Sequence, residues 1–431
     1  MKVGLISLGC SKNLVDSEMI LGAVKNMELE IINDPSLADI IIINTCGFIE
    51  TAKQEAINTI LEMADYKEKG AKIVVTGCLA QRYLDDLKEL LPEVDLFIPI
   101  KDYYRFSELF STLIEKEYKG CLNFSDRILT TPPYTAYVRI ADGCDNKCHY
   151  CAIPLIRGKF SSRSISDIVD EVRELTNRGV KEINLISQDT TRYGKDIGVT
   201  ICDLLRELVK NKDIVFLRLL YLYPEEITHE LISVIKENDC ICNYFDVPIQ
   251  HASNSVLKNM NRRDTKEGLL ELFNYIKKEI PDSIFRTTVI VGYPGESRSD
   301  FIELREFIKE FKFDRLGCFM YSKEEDTVSY SLPNHVSKKA KENRYNEIME
   351  LQSNISYEMG SMHIGEIHQV IIEELDFESN LYIGRSYAFA PDDIDGYIYV
   401  ESKDDLIFGE IYDCKIDKAD IYNLYAHVIK K

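Results

Sequence analysis

The run Cys144-Asp145-Asn146-Lys147-Cys148-His149-Tyr150-Cys151 places three thiols within eight residues at C-x3-C-x2-C spacing. Three thiolates can each hold one iron of a four-iron cluster, whereas full protein ligation takes four cysteines. The missing fourth ligand leaves one iron open to a small molecule, and catalytic metals keep such an open position. Zinc is the competing ion, but zinc sites usually set one C-x2-4-C pair against a second pair downstream. His149 completes a Cys3His set only on paper, because it directly follows Cys148 in a tight loop.

Three further cysteines are dispersed but repeat one position. Cys10, Cys46 and Cys78 each close an apolar run: Gly4-Leu5-Ile6-Ser7-Leu8-Gly9-Cys10, Ile41-Ile42-Ile43-Asn44-Thr45-Cys46 and Val74-Val75-Thr76-Gly77-Cys78. Parallel strands bring their C-terminal ends to one edge of a sheet, so these three could meet at a second metal site. Gly9, Gly47 and Gly77 beside them permit close backbone approach. Any one of these cysteines alone reads as a small buried hydrophobe; the repetition is what points to a metal. Cys121, Cys202, Cys240, Cys242, Cys318 and Cys414 show no such arrangement and read as core or surface residues.

Weaker candidates stand beside these. Arg157, Lys159 and Arg163 follow the triplet and could orient a carboxylate, or simply form a solvated loop. The segment Gly292-Tyr293-Pro294-Gly295-Glu296 reads as a turn whose amides could face a cofactor, or equally as a plain loop. No G-x-x-x-x-G-K-[ST] phosphate loop occurs, which argues against an NTPase.

The elements that must position these residues fall into three stretches. Strands expected at 2–8, 39–43, 72–76 and 94–98 alternate with helices at 16–27, 52–66 and 81–91, an order that predicts a parallel sheet covered by helices. After a linker at 119–133 with its Pro132-Pro133 pair, six strand candidates follow at 136–140, 182–187, 215–222, 244–248, 285–291 and 313–321. Helices at 166–177, 201–209, 228–238, 265–279 and 299–311 separate them, with Ser166 as N-cap of the first, and a long helix at 337–362 closes the unit. This is the pattern of a partial parallel (β/α)6 barrel. Short strands at 368–374, 381–387, 396–400 and 411–419 then suggest a small antiparallel barrel or sandwich. The fold class is α/β, with domain limits of 1–118, 130–362 and 366–431.

Composition narrows the class of partner. The net charge is −20, with twelve cysteines and no apolar run long enough to span a bilayer. The opening residues read as a strand, not a signal peptide, so a cytoplasmic location is expected, where clustered cysteines mean metal or redox chemistry and not disulfides. Residues 366–431 carry 15 Asp and Glu against 6 Arg and Lys, a net −9. Such acidity suits a basic partner and disfavours a nucleic-acid phosphate backbone, or is simply a solvated acidic surface.

Along nearly its whole length the chain resembles the methylthiotransferase family of radical S-adenosylmethionine enzymes. The cysteine triplet is that of radical S-adenosylmethionine proteins, the three preceding cysteines match the N-terminal domain of methylthiotransferases, and the acidic tail matches the position of their TRAM domain. Leu8-Gly9-Cys10-Ser11-Lys12-Asn13-Leu14-Val15-Asp16-Ser17-Glu18, Asn44-Thr45-Cys46-Gly47-Phe48-Ile49, Thr76-Gly77-Cys78-Leu79-Ala80-Gln81-Arg82, Ser187-Gln188-Asp189-Thr190-Thr191-Arg192-Tyr193-Gly194 and Val247-Pro248-Ile249-Gln250-His251-Ala252 are similar to the branch that modifies a ribosomal protein. The tRNA-modifying relatives typically carry Gln-Met-Asn after the first cysteine, and Phe389 departs from the usual acidic or small residue.

The resemblance implies two [4Fe–4S] clusters, one on Cys144, Cys148 and Cys151 and one on Cys10, Cys46 and Cys78. The first would bind S-adenosylmethionine and, with one electron from a low-potential donor, cleave it to a 5′-deoxyadenosyl radical; the second would deliver sulfur. A second S-adenosylmethionine would supply the methyl group. Tyr150 resembles the aromatic near the adenine. The implied substrate is small-subunit ribosomal protein uS12, free or in the subunit, modified at the β-carbon of an aspartate. A tRNA methylthiotransferase of the same architecture, or a non-catalytic iron–sulfur protein, are the other readings; nucleic acid as substrate and a membrane partner are not expected.

Overall fold

Four consecutive isoleucines, Ile40 to Ile43, are all at 0% exposure, as a parallel strand covered on both faces requires. In the computed structural model, which describes residues 1–114 and 117–430, they form the centre of a five-stranded parallel sheet. Glu115, Lys116 and Lys431, which the limits 1–118 and 366–431 include, lie outside the described residues. The strand order is Glu30–Ile32, Lys2–Ser7, Ile40–Thr45, Lys72–Gly77, Leu96–Pro99. The edge strand Glu30–Ile32 was not expected, because three residues are too few to show a period. The order reverses between Lys2–Ser7 and Ile40–Thr45, so the helices after them leave on opposite faces and open a crevice at the C-terminal ends.

The helix after the first strand is Ser11–Asn26, beginning five residues before the expected start at 16. Almost all of it is buried, including Lys12, Asn13, Asp16 and Glu18. The polar run Ser11-Lys12-Asn13 hides the start, since it shows no apolar period. The acidic side chains of the helix are met by arginines of the linker and the next unit: Asp16 bonds Arg139 and lies 2.7 Å from Arg157, and Glu18 lies 2.7 Å from Arg127 and accepts the Thr130 amide at 2.8 Å. The helix is thus clamped between the N-terminal sheet and the central unit.

That unit is an open parallel barrel of six strands: Thr135–Arg139, Glu182–Ile186, Phe216–Leu219, Tyr244–Asp246, Ile284–Val291 and Arg315–Met320. The third and fourth strands share no ladder and are linked by the bridge of Leu217 with Ile241 and by a bond from the Leu222 amide to the Asp246 carbonyl at 2.8 Å. Helices pack outside, closed by the long helix Lys338–Met362. Two local expectations are corrected. Ser164, not Ser166, caps the helix Ile165–Asn177, accepting the Asp167 amide at 3.2 Å. A short helix, Asn254–Asn259, also sits where no element was expected.

The C-terminal residues form a closed five-stranded barrel in the order Ile367–Asp376, Leu381–Arg385, Ile398–Glu401, Leu424–Lys430, Ile411–Ala419. It differs from the antiparallel expectation in one pair, since Ile398–Glu401 runs parallel to Leu424–Lys430. The last strand was missed because Ala426 and His427 weaken its apolar alternation. The segment from Ser386 to Asp395 plugs the N-terminal mouth of the large barrel. There Arg218 donates to the carbonyls of Tyr387 at 2.6 Å and Ser386 at 3.2 Å, and Tyr244 donates to Asp395 at 2.6 Å. Phe389, the unusual residue of this segment, is fully buried beneath the Arg315 guanidinium, 4.6 Å from its ring centre. Chemistry is left to the opposite mouth.

Candidate functional site

Cys10, Cys46 and Cys78 directly follow, or stand within three residues of, the ends of the adjacent strands Lys2–Ser7, Ile40–Thr45 and Lys72–Gly77. Cys144, Cys148 and Cys151 occupy the loop after the first barrel strands. All six line one cavity of about 330 Å³ between the two units. Asn13 ties these three strand ends together: its Nδ2 donates to the carbonyls of Leu8 and Thr45, both at 3.0 Å, its backbone carbonyl accepts from Asn44 Nδ2 at 2.8 Å, and its Oδ1 lies 3.3 Å from Cys78 Sγ.

Gly77 is a position only glycine fits. Its φ is +90°, and a Cβ there would lie 2.2 Å from Asn44 Oδ1 and 2.5 Å from the Thr45 carbonyl oxygen. Gly77→Ala is therefore expected to displace Cys78, cost about 1–3 kcal/mol in backbone strain, and strip metal from the N-terminal triad. Iron analysis of the purified variant checks this; full iron content would contradict it.

The donor set suits iron–sulfur clusters. The cavity wall carries six thiols and no carboxylate, a soft set of the kind Fe–S clusters or zinc prefer. Among the described residues, the one set of three ligand atoms lying within 4.8 Å of one another is His363, Glu366 and His368, at the junction of the long helix with the C-terminal barrel. Neither cysteine triad is drawn in that closely, whereas a tetrahedral zinc would hold its sulfurs about 3.8 Å apart. A cube bearing one thiolate on each of three irons needs the wider spacing. His149 does not complete a zinc set, because its Nδ1 lies 2.8 Å from the Asn259 carbonyl oxygen and its ring is outside the cavity wall. Burial pushes the thiols up, Cys78 to about 12 and Cys144 to about 11, with Cys46 and Cys151 raised as well. Such thiols become thiolates when a metal cation compensates the charge.

Of the three basic residues after the triplet, only Arg157 reaches the cavity. Its Nη2 lies 2.7 Å from Asp16, donates to Asn13 Oδ1 at 2.7 Å and stands 3.6 Å from Cys78 Sγ. An arginine from the loop of one triad thus anchors beside the other. Lys159 is exposed, and Arg163 pairs with Asp167 at 2.7 Å. Tyr150 lines the cavity and packs with Val256, Met260, Tyr293 and Tyr321; burial raises its phenol well above the ordinary value. The Gly292–Glu296 turn is not part of the cavity wall. The amides of Gly292 and Tyr293 both bond the Glu296 carboxylate, so they do not face a cofactor.

Of the wall residues, Tyr221, Tyr223 and Arg262 carried no sequence signal, whereas Lys12 and Gln250 stood in family-like segments with no role assigned. Tyr221 and Gln250 adopt positive φ of 62° and 66° just beyond barrel strands, a conformation that clusters at functional sites. Tyr223 Oη lies 3.5 Å from Cys148 Sγ, Arg262 stacks on the Tyr223 ring at 4.0 Å, and Lys12 Nζ sits 3.0 Å from the Tyr221 ring centre. The first two contacts form within the barrel unit, and only the opposed folding of two units brings Lys12 to Tyr221.

Family models agree with this architecture. The Radical SAM superfamily model matches residues 138–308, the model described as Uncharacterized protein family UPF0004 matches 2–99, and the TRAM domain model matches 364–429. A solved radical S-adenosylmethionine methyltransferase, TsrM from Kitasatospora setae with cobalamin and a [4Fe-4S] cluster bound, shares the fold at TM-score 0.58 and 13% identity, covering 85% of this chain and 77% of that one. Fold and models together define a radical S-adenosylmethionine enzyme. The chain is 51% identical to the ribosomal protein uS12 methylthiotransferase RimO of Clostridium kluyveri, over 99% of this chain and 98% of that protein. It is 46% identical to the RimO of Clostridioides difficile over 100% and 99%. The chain belongs to the RimO family of methylthiotransferases, which use S-adenosylmethionine and [4Fe–4S] clusters.

Proposed function

We propose that the chain methylthiolates ribosomal protein uS12 at the β-carbon of an aspartate, with Cys144, Cys148 and Cys151 holding the cluster that activates S-adenosylmethionine. Cys10, Cys46 and Cys78 hold the auxiliary cluster that delivers sulfur. The observation that carries this reading is the opening of both triads into one cavity, so that a single substrate atom can face both. When bound, the clusters and S-adenosylmethionine supply the one-electron chemistry, the sulfur and the methyl group. The chain's own part is to hold thiolates, exclude water and position the substrate. Tyr150 offers its ring to the adenine. Arg157 fixes the two triads relative to one another through Asp16 and Asn13.

The units 1–118, 130–362 and 366–431 divide the work into sulfur delivery, radical generation and docking. The net −9 of the last unit suits a basic ribosomal protein, not RNA. No described helix is long and apolar enough to cross a membrane. The proposed place of action is the cytoplasm, beside a low-potential electron donor. The test is anaerobic incubation of the reconstituted enzyme with reductant, S-adenosylmethionine and either uS12 or tRNA, followed by mass spectrometry. A methylthio group on uS12 is expected; modified tRNA beside untouched uS12 would overturn the reading.

A further inference from the structure

Three cations line the cavity: Lys12, Arg157 and Arg262. Two are neutralised where they stand, Arg157 by Asp16 at 2.7 Å and Arg262 by Asp264 at 2.6 Å. Lys12 is only 7% exposed, yet among the described residues no carboxylate pairs with it. Its ammonium lies over the Tyr221 ring at 3.0 Å from the centre, and an aromatic face attracts a cation without cancelling its charge. Its place in the first turn of the helix Ser11–Asn26 is also unfavourable for a cation, since the helix N-terminus is itself positive. A buried ammonium so placed calls for an anion.

We propose that Lys12 is the specificity residue of the cavity, its ammonium receiving the side-chain carboxylate of the substrate aspartate. This rests on the proposed modification of uS12 at an aspartate. The geometry favours substrate over cluster as the partner. Arg157 Nη2 already stands 3.6 Å from Cys78 Sγ, so the N-terminal triad has a hydrogen-bond donor of its own. Lys12 instead reaches across to Tyr221 on the barrel wall, into the space both triads share. A carboxylate held there would present the adjacent β-carbon to both triads, whereas an asparagine amide would leave the ammonium without a counter-charge. Charge-assisted hydrogen bonds favour the paired partner by about 10- to 100-fold in affinity.

The test measures binding of uS12 to the anaerobic holoenzyme, comparing uS12 with its variant carrying Asn at the aspartate that mass spectrometry finds modified. The wild-type enzyme is expected to prefer Asp over Asn by about 10- to 100-fold. Lys12→Met should erase that preference, and Lys12→Arg should retain part of it. An equal affinity of the wild-type enzyme for both proteins would overturn the proposal without any variant having to fold. An undiminished preference in K12M would overturn it too. So would a K12M enzyme whose auxiliary-cluster midpoint potential or S-adenosylmethionine affinity changes while the Asp/Asn ratio stays; the ammonium would then serve the cluster or the cofactor. Failure of the functional reading looks different, because the wild-type enzyme would then leave uS12 unmodified altogether.

Discussion

Cys148→Ala is expected to abolish S-adenosylmethionine cleavage, while Cys46→Ala continues to form 5′-deoxyadenosine and leaves uS12 without sulfur. The separation follows from where the two thiols stand. Cys148 lies in the loop beyond the first barrel strands, with its sulfur beside Tyr223 and its neighbour Tyr150 in the cavity wall. With two thiolates left, that site no longer secures the three irons that a catalytic cluster with one open position requires. Cys46 follows the central strand Ile40–Thr45 of a different sheet, and its removal leaves the loop of Cys144, Cys148 and Cys151 intact. Chromatography of the nucleoside and mass spectrometry of uS12 read the two halves separately. Full methylthiolation by the Cys46 variant would refute the division of labour.

Arg385→Met is expected to loosen the C-terminal barrel from the large one at a cost of about 3–5 kcal/mol. Arg385 is 1% exposed and bonds both oxygens of Glu182, at 3.0 and 2.7 Å, as well as Glu373 at 2.7 Å. Glu182 itself is at 0% exposure, and removing the guanidinium leaves its buried charge with only Arg218 at 3.3 Å and the Thr135 hydroxyl at 2.8 Å to offset the loss of water. Burial alone would raise the Glu182 carboxyl; Arg385 and Arg218 outweigh it and hold it down at about 2, below its ordinary 4.5. A carboxyl so depressed in the folded state adds stability that is fully present above about pH 4.5 and is lost as pH falls through about 2. Urea unfolding of the cluster-free chain between pH 2 and 6 reads both effects. Arg385→Met should lower the midpoint of the transition that releases the C-terminal barrel and flatten its acid dependence. An unchanged midpoint would show that the buried pair does not hold the units together.

Most of what makes the site was legible before the structure, for a physical reason. Fully buried parallel strands read as apolar runs, and Ile40 to Ile43 could be little else. A cysteine closing three successive runs locates one sheet edge. The six barrel strands were legible on the same ground. What escaped was decided by tertiary partners. The start of the helix Ser11–Asn26 was missed because Ser11, Lys12 and Asn13 give no apolar period, and the charges of Asp16 and Glu18 further along are met by Arg157 and Arg139 of the central unit and Arg127 of the linker. Lys12 stood only within a family-like segment with no role assigned, because no local pattern tells that Tyr221, more than two hundred residues later, will turn its ring toward the ammonium. Arg157 was noticed for its place in the chain, but its partners belong to the opposite triad. The parallel pairing inside the C-terminal barrel depends on a last strand whose alternation is diluted by Ala426 and His427.

The central claim is that two separate triads each hold a four-iron cluster against one cavity. Anaerobic iron and sulfide analysis of three chains tests it most directly: the wild type, C10A/C46A/C78A and C144A/C148A/C151A. The account predicts about eight irons with matching sulfide in the wild type and about four in either triple variant. Zinc in place of iron, or a triple variant that loses all of its iron while remaining folded, would contradict it.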